Sequence, residues 1–345
     1  MKKILTVLVA AALVLPTFAL SACGTPEVST GSASNGNESV YGKYYGVGLY
    51  DTDGDEERGF IELANGKCTA SLDSRAYDFT YSVDGSYLTV AANPSSADYK
   101  AGIAGFVNNG VILTVCDGTF VTYCKQGKKP ADIFAGLSAR SGKYTMYGDG
   151  VYQYSQIIYI LGDYYLANGE TVGKIEQNDT SLAFVPLFDE RDGYIENGQK
   201  QTFAFAGDNA LSFSDSYDYG DGPVEYTTVY CKVGYGADGK KLSGEYIATI
   251  NADGEMRCGY PAIACTFNGK LYLGMHSDAH YQDMINQGTI SVEEIDAIRR
   301  MSAFYPHKRD SKFLCYNTEP DGSGQDFDDG MPLTSDITLY AQWSA

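Results

Sequence analysis

The strongest constraint on this chain is that it repeats itself: Gly42-Lys43-Tyr44, Gly142-Lys143-Tyr144 and Gly244-Glu245-Tyr246 recur about 100 residues apart. Each is followed by an Asn-Gly pair, at Asn65-Gly66, Asn168-Gly169 and Asn268-Gly269. The first two units also share an ending, since Thr122-Tyr123-Cys124-Lys125 matches Val229-Tyr230-Cys231-Lys232 in three of four positions. Markers in one order at one spacing predict three related units of domain size. Tyrosine is abundant and tryptophan scarce, 29 residues against 1, and Asp-Gly and Asn-Gly pairs are frequent. That composition favours short strands joined by tight hairpins.

In the first unit, Lys43 to Tyr50, Gly59 to Leu63, Tyr77 to Val83, Tyr87 to Ala91, Val111 to Cys116 and Thr119 to Cys124 read as strands of an antiparallel meander. If Asp117-Gly118 is a two-residue turn, Val115 faces Phe120, Leu113 faces Thr122 and Val111 faces Cys124. That face is expected to be the core side. A G-x-Y start followed by such a meander is loosely similar to the lipocalin-like barrels of bacterial lipoproteins, which implies a barrel fold and hints at ligand binding. The fold class is therefore mainly β, in tandem small antiparallel barrel-like or sandwich-like units with a few short helices.

Ahead of the units, Lys2 and Lys3 precede an almost wholly apolar run from Ile4 to Leu20 that ends in small residues before Cys23. This is the layout of a secretory signal. Leu20-Ser21-Ala22-Cys23 resembles the lipobox of bacterial lipoproteins. The resemblance implies a signal peptide over residues 1–22, and a mature chain that starts at an acylated Cys23 and is lipid-anchored outside the cytoplasm. Residues 24–39 have no apolar periodicity, and residues 23–40 read as the lipidated cysteine and a flexible tether of roughly 20–24 Å.

Three β units follow, over residues 41–128, 142–233 and 244–345. Residues 129–141 read as a linker helix, with Pro130 at its start and Ile133, Phe134 and Leu137 on one side. Residues 234–243 read as a freer linker with three glycines. In the third unit a helix is expected from Asp278 to Gln287, capped by Ser277 and stopped by Gly288. A second begins at a Ser291/Glu294 capping box with Ile290 and Ile295 as hydrophobic staple.

Residues 313–343 close the chain with Asn317-Thr318, Asp321-Gly322-Ser323-Gly324, Phe327, Asp329-Gly330 and Thr338-Leu339-Tyr340-Ala341-Gln342-Trp343. This stretch resembles the second half of the Listeria-Bacteroides repeat of bacterial surface proteins, with Cys315-Tyr316 where the family has Gly-Trp. The resemblance implies an extracellular interaction role without catalysis. In a competing reading, Thr338-Leu339-Tyr340 is the closing strand of the third unit, parallel in sequence to Thr228-Val229-Tyr230.

Charge narrows the partners. The formal net charge is -19, and loss of residues 1–22 removes two lysines and no acid. Such a surface repels nucleic acid and gains nothing from anionic head groups, so the anchor must hold the protein at the membrane. An envelope component, a host molecule or a glycan remains as ligand. Of the 8 cysteines, Cys124 and Cys231 sit at matching places and suit buried apolar packing. Cys258 and Cys265 are the best local disulfide candidates.

No nucleophile elbow, Walker loop, H-E-x-x-H helix or dinucleotide fingerprint is present, and no motif calls for a cofactor. The candidate chemistry is His276, Asp278 and His280, a ligand set of the kind zinc accepts. Solvated histidines at a helix entry are the plainer reading. Asp51, Asp53 and Asp55 imitate calcium-loop spacing, but glycine falls at the fourth place rather than the sixth. The tyrosines read chiefly as packing and cross-strand pairs, and secondarily as sugar platforms. The functional expectation is a surface lipoprotein with a binding, adhesion or display role. An enzyme or metal-binding protein built on the histidine cluster, and an envelope spacer, are the alternatives.

Overall fold

The computed structural model describes residues 40–47, 59–71, 76–92, 103–116, 118–148, 151–178, 181–189, 193–195, 198–218, 222–251, 255–256, 262–292, 294–295, 306–307 and 311–344. The signal sequence, Cys23, the tether, the Asp51–Asp55 loop and Cys258 lie outside the described residues.

The first eight strands are β1 (Gly42–Val47), β2 (Phe60–Ala64), β3 (Lys67–Ser71), β4 (Ala76–Asp84), β5 (Tyr87–Ala92), β6 (Ile103–Asn108), β7 (Val111–Cys116) and β8 (Thr119–Cys124). Each pairs antiparallel with the next, and β1 pairs with β8 to close a barrel. The turns follow from the sequence: Asn65-Gly66 and Asn109-Gly110 each place both residues at positive φ, the conformation of a type I′ hairpin.

A second barrel follows: β9 (Gly142–Gly148), β10 (Val151–Leu161), β11 (Tyr164–Ala167), β12 (Thr171–Gln177), β13 (Ser181–Asp189), β14 (Gly193–Tyr194), β15 (Gln201–Ala206), β16 (Ala210–Asp218) and β17 (Pro223–Cys231). Pairing of β12 with β13 and of β9 with β17 closes the ring, and β14 hangs on β13 as an appendage.

The two barrels close in the same way. Tyr44 and Tyr144 are fully buried, and each hydroxyl donates to the carbonyl four residues back, Val40 at 2.8 Å and Arg140 at 2.7 Å. The next residue, Tyr45 or Thr145, pairs with Cys124 or Cys231 across the seam. Beyond each cysteine, Lys125 or Lys232 brings its ammonium over the tyrosine ring, 5.2 and 5.5 Å from the centroid. The Asn-Gly turns do not correspond so well. Asn65-Gly66 joins β2 to β3, whereas Asn168-Gly169 lies between β11 and β12, because the β10–β11 hairpin turns at Gly162-Asp163.

Both faces of the wall between the barrels are buried. The β7–β8 register is the expected one, with Val111 opposite Cys124, Leu113 opposite Thr122 and Val115 opposite Phe120. That face, however, is not the lumen. Val111, Leu113 and Val115 pack with Ile133 and with Ile157, Tyr159 and Leu161 of β10 in a core shared by the two barrels. The lumen of the first barrel is filled by the opposite face, including Ile112, Val121 and Tyr123. Burial on two sides explains why β7 reads as a continuous apolar run instead of alternating.

The linker over 130–139 is shorter than a helix: a 3-10 turn at Pro130–Phe134, ended by extended Ala135 and by Gly136 at φ 77°. Ile133 is nonetheless buried, with Phe134 and Leu137 beside it. The glycine-rich linker is not free. Tyr235 pairs with Lys241, the Gly236 amide donates to the Lys240 carbonyl, and Tyr152 receives the Gly234 amide while donating to the Tyr235 carbonyl.

The last unit comprises β18 (Ile247–Asn251), β19 (Glu255–Met256), β20 (Ala262–Cys265), β21 (Lys270–Leu271), α1 (Asp278–Asn286), β22 (Pro306–His307), β23 (Phe313–Asn317), β24 (Asp326–Phe327), β25 (Met331–Pro332) and β26 (Ile337–Trp343). Its main sheet has the order β20-β18-β26-β23-β24. Here β26 runs parallel to β18, whereas β17 is antiparallel to β9, so Thr338-Leu339-Tyr340 does not close this unit as Thr228-Val229-Tyr230 closes the second barrel. The C-terminal stretch shares one core with what precedes it, as Tyr316, Phe327, Leu333 and Leu339 pack with Ala248, Ile250, Tyr272 and Tyr281.

Candidate functional site

The only histidines outside the β22 segment stand at the entry to α1. Ser277 is the N-cap, its hydroxyl accepting from the His280 amide at 3.4 Å, and this places His276 just before the helix. The two imidazoles are in contact, with centroids 4.0 Å apart and planes tilted by 36°. Asp328 Oδ1 lies 2.6 Å from His276 Nε2, and Asp278 sits exposed in the first helical turn. Asp328 is 72 % exposed, so the pair is a surface one. Among the described residues no three His, Cys, Asp or Glu side chains form a group suited to a metal ion.

Beneath this pair, Asp329 is buried and accepts three hydrogen bonds: from the Leu273 amide at 2.7 Å, the Met275 amide at 2.8 Å and the Tyr281 hydroxyl at 2.5 Å. Tyr281 in turn receives the His276 amide at 2.9 Å. The Asp-Gly pair of the C-terminal motif thus holds the loop that leads into α1. Gly330 continues the junction by donating its amide to the Leu271 carbonyl.

Glu294 forms a second buried node. It accepts from the Ser291 amide at 2.6 Å, Lys270 Nζ at 3.0 Å and the Tyr272 hydroxyl at 2.8 Å, while Ser291 Oγ receives the Glu294 amide. The expected capping box is formed, and Ile290 and Ile295 are both buried as the staple requires. Burial works against the Glu294 carboxylate, but its bonds to Ser291, Lys270 and Tyr272 outweigh that and hold its pKa below the ordinary glutamate value. The same carboxylate and, above all, burial raise the Tyr272 phenol.

Both carboxylates therefore accept three hydrogen bonds from neighbours of the fold. Asn317, fully buried, does comparable work in the Asp321–Gly324 turn. Its amide nitrogen donates toward Gly322, Gly324 and Asp326, and its oxygen accepts from the Glu319 and Gly324 amides.

Cys68, Cys124, Cys231 and Cys265 are buried in apolar cores. Burial pushes the thiols of Cys124, Cys231 and Cys265 up to about 12, far from nucleophilic use near neutral pH. Sequence spacing did not single out Asp328 and Asp329 for these contacts, because their partners lie some fifty residues earlier in the chain. The one signal is that Asp329 belongs to the C-terminal motif, with Asp328 beside it.

Together these features define a protein of two tandem closed β-barrels with a mixed α/β unit at its end. No family model and no curated protein matches the chain. Among the described residues no helix is long and apolar enough to cross a membrane.

Proposed function

We propose that the protein is a lipid-anchored, extracytoplasmic surface lipoprotein that binds a partner through its outer surface and does not turn it over. The observation that carries this reading is the filling of both lumens. In the second barrel Tyr165 stacks on Phe184 at 4.2 Å and Phe203 lies tilted against Phe184 at 4.4 Å, with Tyr144, Ile158, Ile160, Leu182 and Leu211 closing around them. In the first barrel Tyr44, Phe79, Leu88, Ile112 and Tyr123 occupy the same space. Small barrels filled by their own side chains are cores and not containers. Recognition then falls to the exterior, where Tyr41, Tyr45, Val224, Tyr226 and Leu314 are exposed.

The anchor is tested by metabolic labelling with palmitate, where the native chain is expected to incorporate label and Cys23→Ala to lose it. Binding is tested by a thermal-shift screen of residues 41–345 with glycans, lipids, peptides and divalent metals. A ligand of the native state at 100 times its Kd adds about 2.7 kcal/mol. Silence across the panel would move the reading to an envelope spacer.

A further inference from the structure

The outer surface invoked above includes one segment of unusual construction. β16 and β17 pair along their whole length, from Ala210 opposite Cys231 to Asp218 opposite Pro223. Their neighbours accompany them only at the base: β15 pairs with β16 through Ala210–Ser212, and β9 pairs with β17 through Val229–Cys231. From Phe213 and Thr228 outward the two strands are paired only with each other among the described residues, and residues 214–216 and 223–227 are all exposed. The result is a two-stranded arm leaving the barrel wall.

An antiparallel ribbon aims every second N–H and C=O away from its partner strand, so beyond its base each strand of the arm presents an edge that no further strand covers among the described residues. Natural proteins commonly blunt such edges with lysine. This arm has none: its described strands carry Asp215, Asp218 and Glu225, and the sequence over 213–228 holds no lysine or arginine. Its two faces differ as well. Ser214, Thr227 and Glu225 lie on one, with the Ser214 and Thr227 hydroxyls 2.9 Å apart. The face continuous with the aromatic lumen carries Phe213, Asp215, Tyr226 and Val224, and Val224 and Tyr226 are 57 % and 46 % exposed.

Resting on the binding reading, we propose that this arm is a docking edge for an extended basic peptide segment that adds to it as a further strand. Backbone pairing with the edge would give affinity, alternate apolar side chains would cover Val224 and Tyr226, and lysine or arginine would answer the acids. A second copy of the chain fits less well, because two such arms bring like charge together.

The test uses residues 41–345 and a labelled decapeptide that alternates lysine with isoleucine, with a glutamate-for-lysine version as control. Fluorescence anisotropy at low salt should show saturable binding of the lysine peptide only, and 0.5 M salt should weaken it. D215K/E225K and, separately, Tyr226→Ser should each weaken binding at least about tenfold while leaving the melting temperature within the range of exposed substitutions. Hydrogen exchange should slow across residues 213–218 and 223–228 when the peptide is bound. Equal binding by the variants, or protection elsewhere, would overturn the arm as the site while leaving surface binding intact. No preference for the lysine peptide would overturn the basic-strand proposal outright, and the glycan and lipid arms of the screen would still judge the wider reading.

Discussion

The Lys232 ammonium lies 5.5 Å from the centre of the Tyr144 ring and reaches the Ala139 carbonyl at 2.5 Å, fastening the last strand of the second barrel to its first. A Cβ at Gly142 would stand 2.7 Å from Lys232 Cε, so a side chain there would push the end of the lysine aside. Lys125 and Tyr44 make the corresponding contact in the first barrel at 5.2 Å.

Tyr144→Phe is therefore expected to destabilise by about 1–2 kcal/mol, because the Arg140 and Asp208 carbonyls lose their common donor. Lys232→Met should cost about 0.5–1 kcal/mol. A double-mutant cycle of Lys232→Met with Tyr144→Leu, which unlike phenylalanine removes the aromatic ring, checks by urea denaturation whether the ring and the ammonium are coupled. Strict additivity would mean that the ring and the ammonium do not interact.

Asp329→Ala should destabilise by about 3 kcal/mol, as it strips two amides and a phenol of their buried acceptor. Asp328→Ala, one residue away but exposed, should cost less than about 1 kcal/mol. Equal effects in denaturation would show that the Asp329 node does not hold the loop.

Glu294 predicts an acid-sensitive element. Its folded-state pKa lies below the ordinary 4.5, so its stabilising contribution is fully present above that value and is lost as pH falls through the depressed one. The stability advantage of the native chain over Glu294→Gln should accordingly shrink below about pH 4.5. A difference that stays constant down to pH 3 would contradict the depressed pKa.

Gly173 should tolerate no side chain. It pairs with Tyr165, whose ring covers it, and a Cβ would fall 2.3 Å from the Val185 carbonyl oxygen and 2.4 Å from Tyr165 Cε1. Gly173→Ala is expected to cost about 1–3 kcal/mol by overpacking, seen as a lowered melting temperature. Gly66→Ala, in an open turn with φ 77°, should be strained by its backbone alone.

The sequence by itself determined the local geometry. Asn65-Gly66 set a turn, the β7–β8 register followed from Asp117-Gly118, Ser277 and Gly288 bounded α1, and Ser291 with Glu294 formed a cap. Strands β3 and β6 are not legible in the sequence: Lys67–Ser71 is short, with three polar residues and no large apolar one, and Ile103–Asn108 has an interrupting Gly105. These signals act over a few residues, through allowed φ, side-chain capping and alternation. What only the tertiary structure decided was which face of a strand becomes lumen and which becomes an inter-barrel core. It also decided that β26 would lie parallel to β18, and that Asp328 and Asp329 would meet α1 and the loop before it. The reason is physical: alternation separates two faces but does not say what will cover either one, and a carboxylate finds its donors only after the chain between them has folded.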